Sequence, residues 1–166
     1  MSLDNIKLSP VVLADLYKNS LVQLEDTKKN NPANQSVTTT KYLGENKKAI
    51  LILVNNAESP FLNEASFQFL VSILTACKLS MADVALVNKA NLTVPLSQLI
   101  EELSSGIVLI FGMEAKEMNL PFNFPYYQVQ KHGKLTYLTA DDFEAIGANK
   151  QRKAQLWLCL KRIFDL

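Results

Sequence analysis

With 166 residues, 48% of them hydrophobic, and only five glycines, the chain has the length and composition of one compact α/β-sized domain with its own core, which excludes a long disordered protein. Its 17 basic and 16 acidic residues nearly cancel, so no strong overall field draws it onto nucleic acid or an anionic membrane. Contact with DNA would have to be local or carried by a partner.

Ser9 and Pro10 supply an N-cap and a proline at the first helical position, and predict an amphipathic helix to about Leu24. Leu13, Leu16, Tyr17, Leu21 and Leu24 share its apolar stripe, which packs either on the protein's own sheet or in a partner's groove. The almost wholly polar stretch 25–48 reads as a linker that could tether this helix. Residues 49–166 then read as the sheet-bearing core. Short continuous apolar runs mark strands buried on both faces, and Ile50 to Val54, Val84 to Val87 and Ile107 to Phe111 have that form, with Met81 to Asn88 as the wider bounds of the second. Between them lie helices predicted from about Asn63 to Cys77, burying Phe67, Leu70, Ile73 and Leu74, and from Pro95 to Ser104, with Leu96, Leu99, Ile100 and Leu103 at helical spacing. Beyond Gly112, Tyr126 to Gln130 and Leu135 to Leu138 flank the turn Lys131-His132-Gly133-Lys134 as a small antiparallel extension. Asp141 and Asp142 mark a helix start, and Asn149 caps a last helix to about Phe164, anchored by Trp157, Leu160 and Phe164. The fold class expected is a three-layer α/β/α domain on a mostly parallel sheet of about four strands.

In such sheets a ligand sits beyond the carboxyl ends of the strands, so Asn55, Asn56, Asn88 and Gly112 mark the expected pocket. Glu58, in the loop after the first strand, could be a general base or a surface carboxylate. The single histidine, His132, falls in a predicted exposed turn, away from any cysteine, and reads as a turn residue more readily than a catalytic one. No paired-cysteine metal motif, no GxxxxGK[ST] loop and no GxGxxG segment occurs, so neither a metal nor a nucleotide cofactor is expected. Cys77 and Cys159 lie in apolar helical runs and read as buried thiols. The N-terminus has no apolar core flanked by positive charge, and no apolar run approaches the ~18 residues of a membrane span, so a cytoplasmic protein is expected. The last helix carries Lys150, Arg152, Lys153, Lys161 and Arg162 against Asp165, a basic face for phosphates or an acidic partner.

The runs ILILVNNAESPF, LSMADVALVNKAN and SSGIVLIFGMEA resemble the uracil-DNA glycosylase superfamily, in which the first strand ends in a catalytic loop and the second in an asparagine. Here that loop is NNAESP, without the glycines of the family, and His132-Gly133 stands where the family has His-Pro. The segment LILVNNAESPFLNEASFQFLVSILTACKLSMADVALVN, with GANKQRKAQLWLCLKRI near the C-terminus, is also similar to the psi-subunit family of bacterial DNA polymerase III. That resemblance implies a non-catalytic replisome protein bridging the clamp loader to the chi subunit and, through it, to single-strand binding protein, with the N-terminal segment on the clamp loader. The contact surfaces expected are the helix bearing Leu13, Leu16, Tyr17 and Leu21 and the face around Arg152, Lys153 and Trp157, aromatic anchors supplying most of the energy. The alternative is a glycosylase-superfamily protein that binds or processes a nucleobase, with Asn55, Asn56, Glu58, Asn88, Gly112 and His132 around the pocket. A catalytic version needs an open pocket beyond Asn55 and Gly112, whereas a scaffold can fill it with Phe61, Phe124 or Tyr126.

Overall fold

The structure, a computed structural model, describes residues 40–120 and 123–166. The chain divides into two units, Met1–Ser36 and Val37–Leu166, at a point inside the polar stretch expected to be a linker. The helix expected over residues 1–24, with Leu13, Leu16, Tyr17 and Leu21, lies outside the described residues.

Five strands form one mixed, mostly parallel sheet: β1 Ile50–Val54, β2 Val84–Asn88, β3 Ile107–Phe111, β4 Val129–His132 and β5 Leu135–Ala140, in the spatial order β2-β1-β3-β5-β4. Only the β4–β5 pair is antiparallel. All residues of β1 and β2 are buried, as their unbroken apolar runs require for strands covered on both faces. Side chains alternate across the pleat. Ile50, Ile52 and Val54 join one apolar cluster, while Leu51 and Leu53 join another.

Four α-helices, α1 Glu64–Ala76, α2 Leu96–Glu102, α3 Phe143–Ala148 and α4 Lys150–Phe164, lie among the described residues, with three short 3₁₀ turns. The first cluster takes Leu70 and Leu74 of α1, Phe143 and Ile146 of α3, and Leu156 and Leu160 of α4. The second takes Leu96, Leu99 and Ile100 of α2. Asparagines and an aspartate start three of the helices. Asn63 Oδ1 accepts from the Ser66 amide at 2.8 Å, Asp142 Oδ1 from Ala145 at 2.7 Å, and Asn149 Oδ1 from Gln151 at 2.9 Å. Each satisfies an amide that the helix itself leaves without an acceptor.

The first two helices stop without glycine. Lys78 (φ 57°) and Ser104 (φ 49°) take the left-handed conformation, and the amides behind them close the ends, Leu79 N–H on Leu74 C=O at 2.8 Å and Ser105 N–H on Ile100 C=O at 2.9 Å. α2 consequently ends before the expected Ser104. β2 starts at Val84 and not at Met81, because Met81–Asp83 forms a short 3₁₀ turn. The fifth strand, β4, is the arm of the expected antiparallel extension, and its hairpin with β5 turns at Gly133 (φ 61°) and Lys134.

The described end of the expected linker is bonded to the sheet. Leu43 and Leu86 exchange both backbone hydrogen bonds at 2.8 Å, and the amides of Asn46, Lys47 and Lys48 donate to the carbonyls of Val84, Ala82 and Asp83. Residues 43–48 thus cover the outer edge of β2.

Candidate functional site

Because β1 is followed by β2 on one side and flanked by β3 on the other, the order of the strands reverses between β1 and β3. The chain departs in opposite directions there and leaves a crevice at the carboxyl ends. A cleft of about 400 Å³ lies at this position. Phe111 at the end of β3 and Phe143 at the start of α3 stack 4.4 Å apart, both buried, and form its apolar floor. Its walls are the loop Asn55, Asn56, Ala57 and Glu58, the start of α1 at Asn63 and Ser66, and the start of α3 at Asp142 and Glu144.

Of the residues expected at the pocket, Asn55, Asn56, Glu58 and Gly112 line this cleft. Gly112 (φ 70°) belongs there for a steric reason: a Cβ would come to 3.0 Å from Asp142 Cβ, so any side chain would crowd the α3 cap. Asn88 lies just beneath, 1% exposed, and serves as a brace. Its Oδ1 accepts from the Asn56 amide at 3.1 Å and the Ala90 amide at 3.3 Å, while its Nδ2 donates to the carbonyls of Asn56 at 2.7 Å and Ser59 at 3.0 Å. All four capacities of the amide are engaged. His132 is elsewhere. It pairs with Leu135 at the amino end of β5, whereas the cleft opens at the carboxyl ends of the parallel strands, so the hairpin carries the histidine to the opposite end of the sheet.

Asn63, Asp142 and Glu144 were not anticipated as cleft residues. Asn63 Nδ2 donates to Glu144 Oε1 at 3.0 Å, linking the starts of α1 and α3 across the cleft. The available signal was that Asn63 and Asp142 are both helix starts. Asn56 is committed to its own loop, its Oδ1 accepting from the amides of Glu58 at 2.9 Å and Ser59 at 3.1 Å. The three aromatic residues that could have filled the cleft lie outside its lining: Phe124 stacks on Tyr137 at 5.1 Å in the second cluster, Tyr126 lines another groove, and Phe61 packs against the first cluster. Among the described residues no group of three or more His, Cys, Asp or Glu is arranged to hold a metal ion.

The α4 residues expected to meet a partner engage the domain itself. Arg152 Nε lies 3.4 Å from Asp141 Oδ2, and Lys153 Nζ sits 5.6 Å from the centre of the Phe69 ring. Trp157 is half-buried against the first cluster, with Lys161 Nζ 5.5 Å above its ring. Asp141 also accepts the Tyr127 hydroxyl at 2.6 Å. Burial, and then the adjoining carboxylate, push the Tyr127 phenol well above the ordinary tyrosine range. Burial likewise raises the Cys159 thiol, which donates to the Tyr127 carbonyl.

The chain matches no protein-family model and no curated protein. No described helix is long and apolar enough to cross a membrane.

Proposed function

We propose that the chain is a non-catalytic interaction module of the DNA replication machinery, resembling the psi subunit and built on a three-layer α/β/α fold of the uracil-DNA glycosylase type. In this reading it joins a clamp loader to a chi subunit. The observation that supports it is how the polar groups around the cleft are used: Asn88 braces the loop after β1, Asn56 turns that loop, and Asn63 and Asp142 cap helices. Side chains that could otherwise turn to a ligand are committed to backbone at these four positions.

The test is recovery of partners on tagged full-length protein from its native, nuclease-treated lysate, identified by mass spectrometry. Clamp-loader and chi subunits are expected, and their loss on combining Leu16→Glu with Leu21→Glu, at unchanged circular dichroism, would place the contact on the N-terminal stripe. Recovery of neither subunit by the wild-type chain overturns the reading.

One observation favours the second reading, a protein that binds or processes a nucleobase. The cleft is open to about 400 Å³ over a stacked aromatic floor, and neither Phe61, Phe124 nor Tyr126 fills it. Uracil excision from single- or double-stranded DNA, abolished by Glu58→Gln at unchanged melting temperature, would support it.

A further inference from the structure

The outer edge of β2 is covered by residues 43–48, but β4 at the other end of the sheet pairs with β5 alone among the described residues. A two-residue hairpin loop makes its flanking residues, His132 and Leu135, a hydrogen-bonded pair. Gln130 therefore also turns its backbone towards β5, and the amides and carbonyls of Val129 and Lys131 face the open edge.

A groove of about 490 Å³ runs beside that edge, between β4 and α4. Val129 and Cys159 line it at its base, and Gln128, Gln155, Leu158 and Arg162 flank it. Leu158 is 65% exposed, more than any other large apolar side chain among the described residues, whereas its neighbours Leu156 and Leu160 fill the core. A single exposed leucine is ordinary on a protein surface; what sets this one apart is its place beside a groove and a strand edge that no described segment pairs.

Charge selects the kind of partner. The lining, which also includes Tyr126 and Tyr127, contains Arg162 and no carboxylate of its own; Asp141, which accepts the Tyr127 hydroxyl, is paired with Arg152. Alternation along β4 puts Lys131 on the same face as Val129, and Lys134 follows in the turn. Neither Arg162, Lys131 nor Lys134 takes part in an ion pair among the described residues. Two copies of this chain paired antiparallel along β4 about Lys131 would set that lysine against its own copy, which disfavours self-pairing in this register. An acidic strand meets the reverse situation.

We propose that β4 and the groove beside it form a docking site for an extended acidic segment of a partner protein, added to the sheet as a further strand. Backbone bonds to Val129 and Lys131 give its register, an apolar side chain rests on Leu158, and a carboxylate meets Arg162. The site stands independently of any role in replication.

The experiment titrates isotope-labelled full-length protein with a capped heptapeptide alternating valine and glutamate, and follows backbone amides by NMR. Shifts centred on Val129 and Lys131 are expected, with at least about tenfold slower hydrogen exchange at both amides once the peptide is bound. Arg162→Glu and Leu158→Asp should each weaken binding about tenfold or more at unchanged melting temperature, and a peptide with lysine in place of glutamate should not bind. The proposal is overturned by any of four results: no shift at millimolar peptide, binding indifferent to both variants, Val129 and Lys131 amides already protected in the free protein, or dimerisation of the chain through β4.

Discussion

The two edges of this sheet solve the same problem in different ways. Each presents a row of backbone donors and acceptors that would otherwise template pairing with another chain. At β2, residues 43–48 fill the row with the chain's own backbone, Leu43 exchanging both hydrogen bonds with Leu86. At β4 no described strand does so, and lysines stand beside the edge at positions 131 and 134. The contrast teaches that an edge can be closed by a segment with almost no apolar side chains. The cover is made by main-chain bonds, so it depends on backbone shape and not on hydrophobic patterning.

The largest expected effect follows from that dependence. Gly44 adopts φ 112°, and a Cβ there would stand 2.1 Å from the Val84 carbonyl oxygen and 2.6 Å from that of Met81. Both are backbone atoms, which cannot swing aside as a side chain would. Gly44→Ala should detach the cover, combining backbone strain with the loss of the bonds at Leu43 and Asn46, for a destabilisation of about 3 kcal/mol. Urea denaturation measures it, and hydrogen exchange should show the Leu86 amide, which donates to Leu43, becoming unprotected. A change below about 0.5 kcal/mol would mean that the cover contributes little and that the two edges are equivalent.

Beside the β4 edge, one residue adds three contacts to the ladder with β5. Tyr127 (φ 60°) donates its amide to Thr139 C=O at 2.8 Å, accepts the Cys159 thiol on its carbonyl at 3.1 Å, and gives its hydroxyl to Asp141 at 2.6 Å. Tyr127→Phe removes only the last of these, a bond to a charged acceptor, and should cost about 1.5 kcal/mol near neutral pH. Its pH dependence has a definite sign. Burial and Asp141 raise the phenol's pKa in the folded state, so on alkalinisation the unfolded chain ionises first and stability falls as pH rises above the ordinary tyrosine value of about 10. Tyr126 and Tyr137, also raised by burial, supply a slope that remains in the variant. Denaturation curves taken from about pH 8 upwards should fall more steeply for the wild type than for Tyr127→Phe. Parallel curves would remove Tyr127 as the alkaline-sensitive anchor of this edge.

What could be read from the sequence divides along the same line between side-chain pattern and backbone shape. β1 and β3 are found at their expected ends because a five-residue run of β-branched and other large apolar side chains, closed by Asn55 or Gly112, is too short for a helix and fits a strand buried on both faces. The caps at Asn149 and Asp142 are legible because their side chains do the capping. The end of α2 was not, since Ser104 assumes a conformation usually signalled by glycine. The cover at 43–48 was hidden for the reason given above: polar side chains read as a linker. In the cleft, Asn55, Asn56, Glu58 and Gly112 follow from strand ends alone, whereas Asp142 and Glu144 reach it from a helix far along the chain. His132 joins them only through the glycosylase resemblance; its turn is legible locally, but the end of the sheet from which it hangs is not.

The smallest expected effect concerns the turn that leads into β2 and accepts the amides of Lys47 and Lys48 from the cover. Asp83 Oδ2 accepts from the Ser80 amide at 2.8 Å and the Ser80 hydroxyl at 3.1 Å, with Lys48 Nζ at 3.8 Å. The amide of Ser80 does most to hold this carboxyl below the ordinary aspartate range, with Lys48 and Lys47 adding to it. A depressed folded-state pKa gives stability that is present above the unfolded value and is lost as pH falls through the folded one. Asp83→Asn keeps an acceptor but loses the charge, so it should be less stable than the wild type at neutral pH and converge with it below about pH 4. Denaturation midpoints across that range test this. A gap that persists undiminished in acid would trace the loss to the turn's shape, and with it would fall the idea that charge, as well as backbone, holds the covered edge closed.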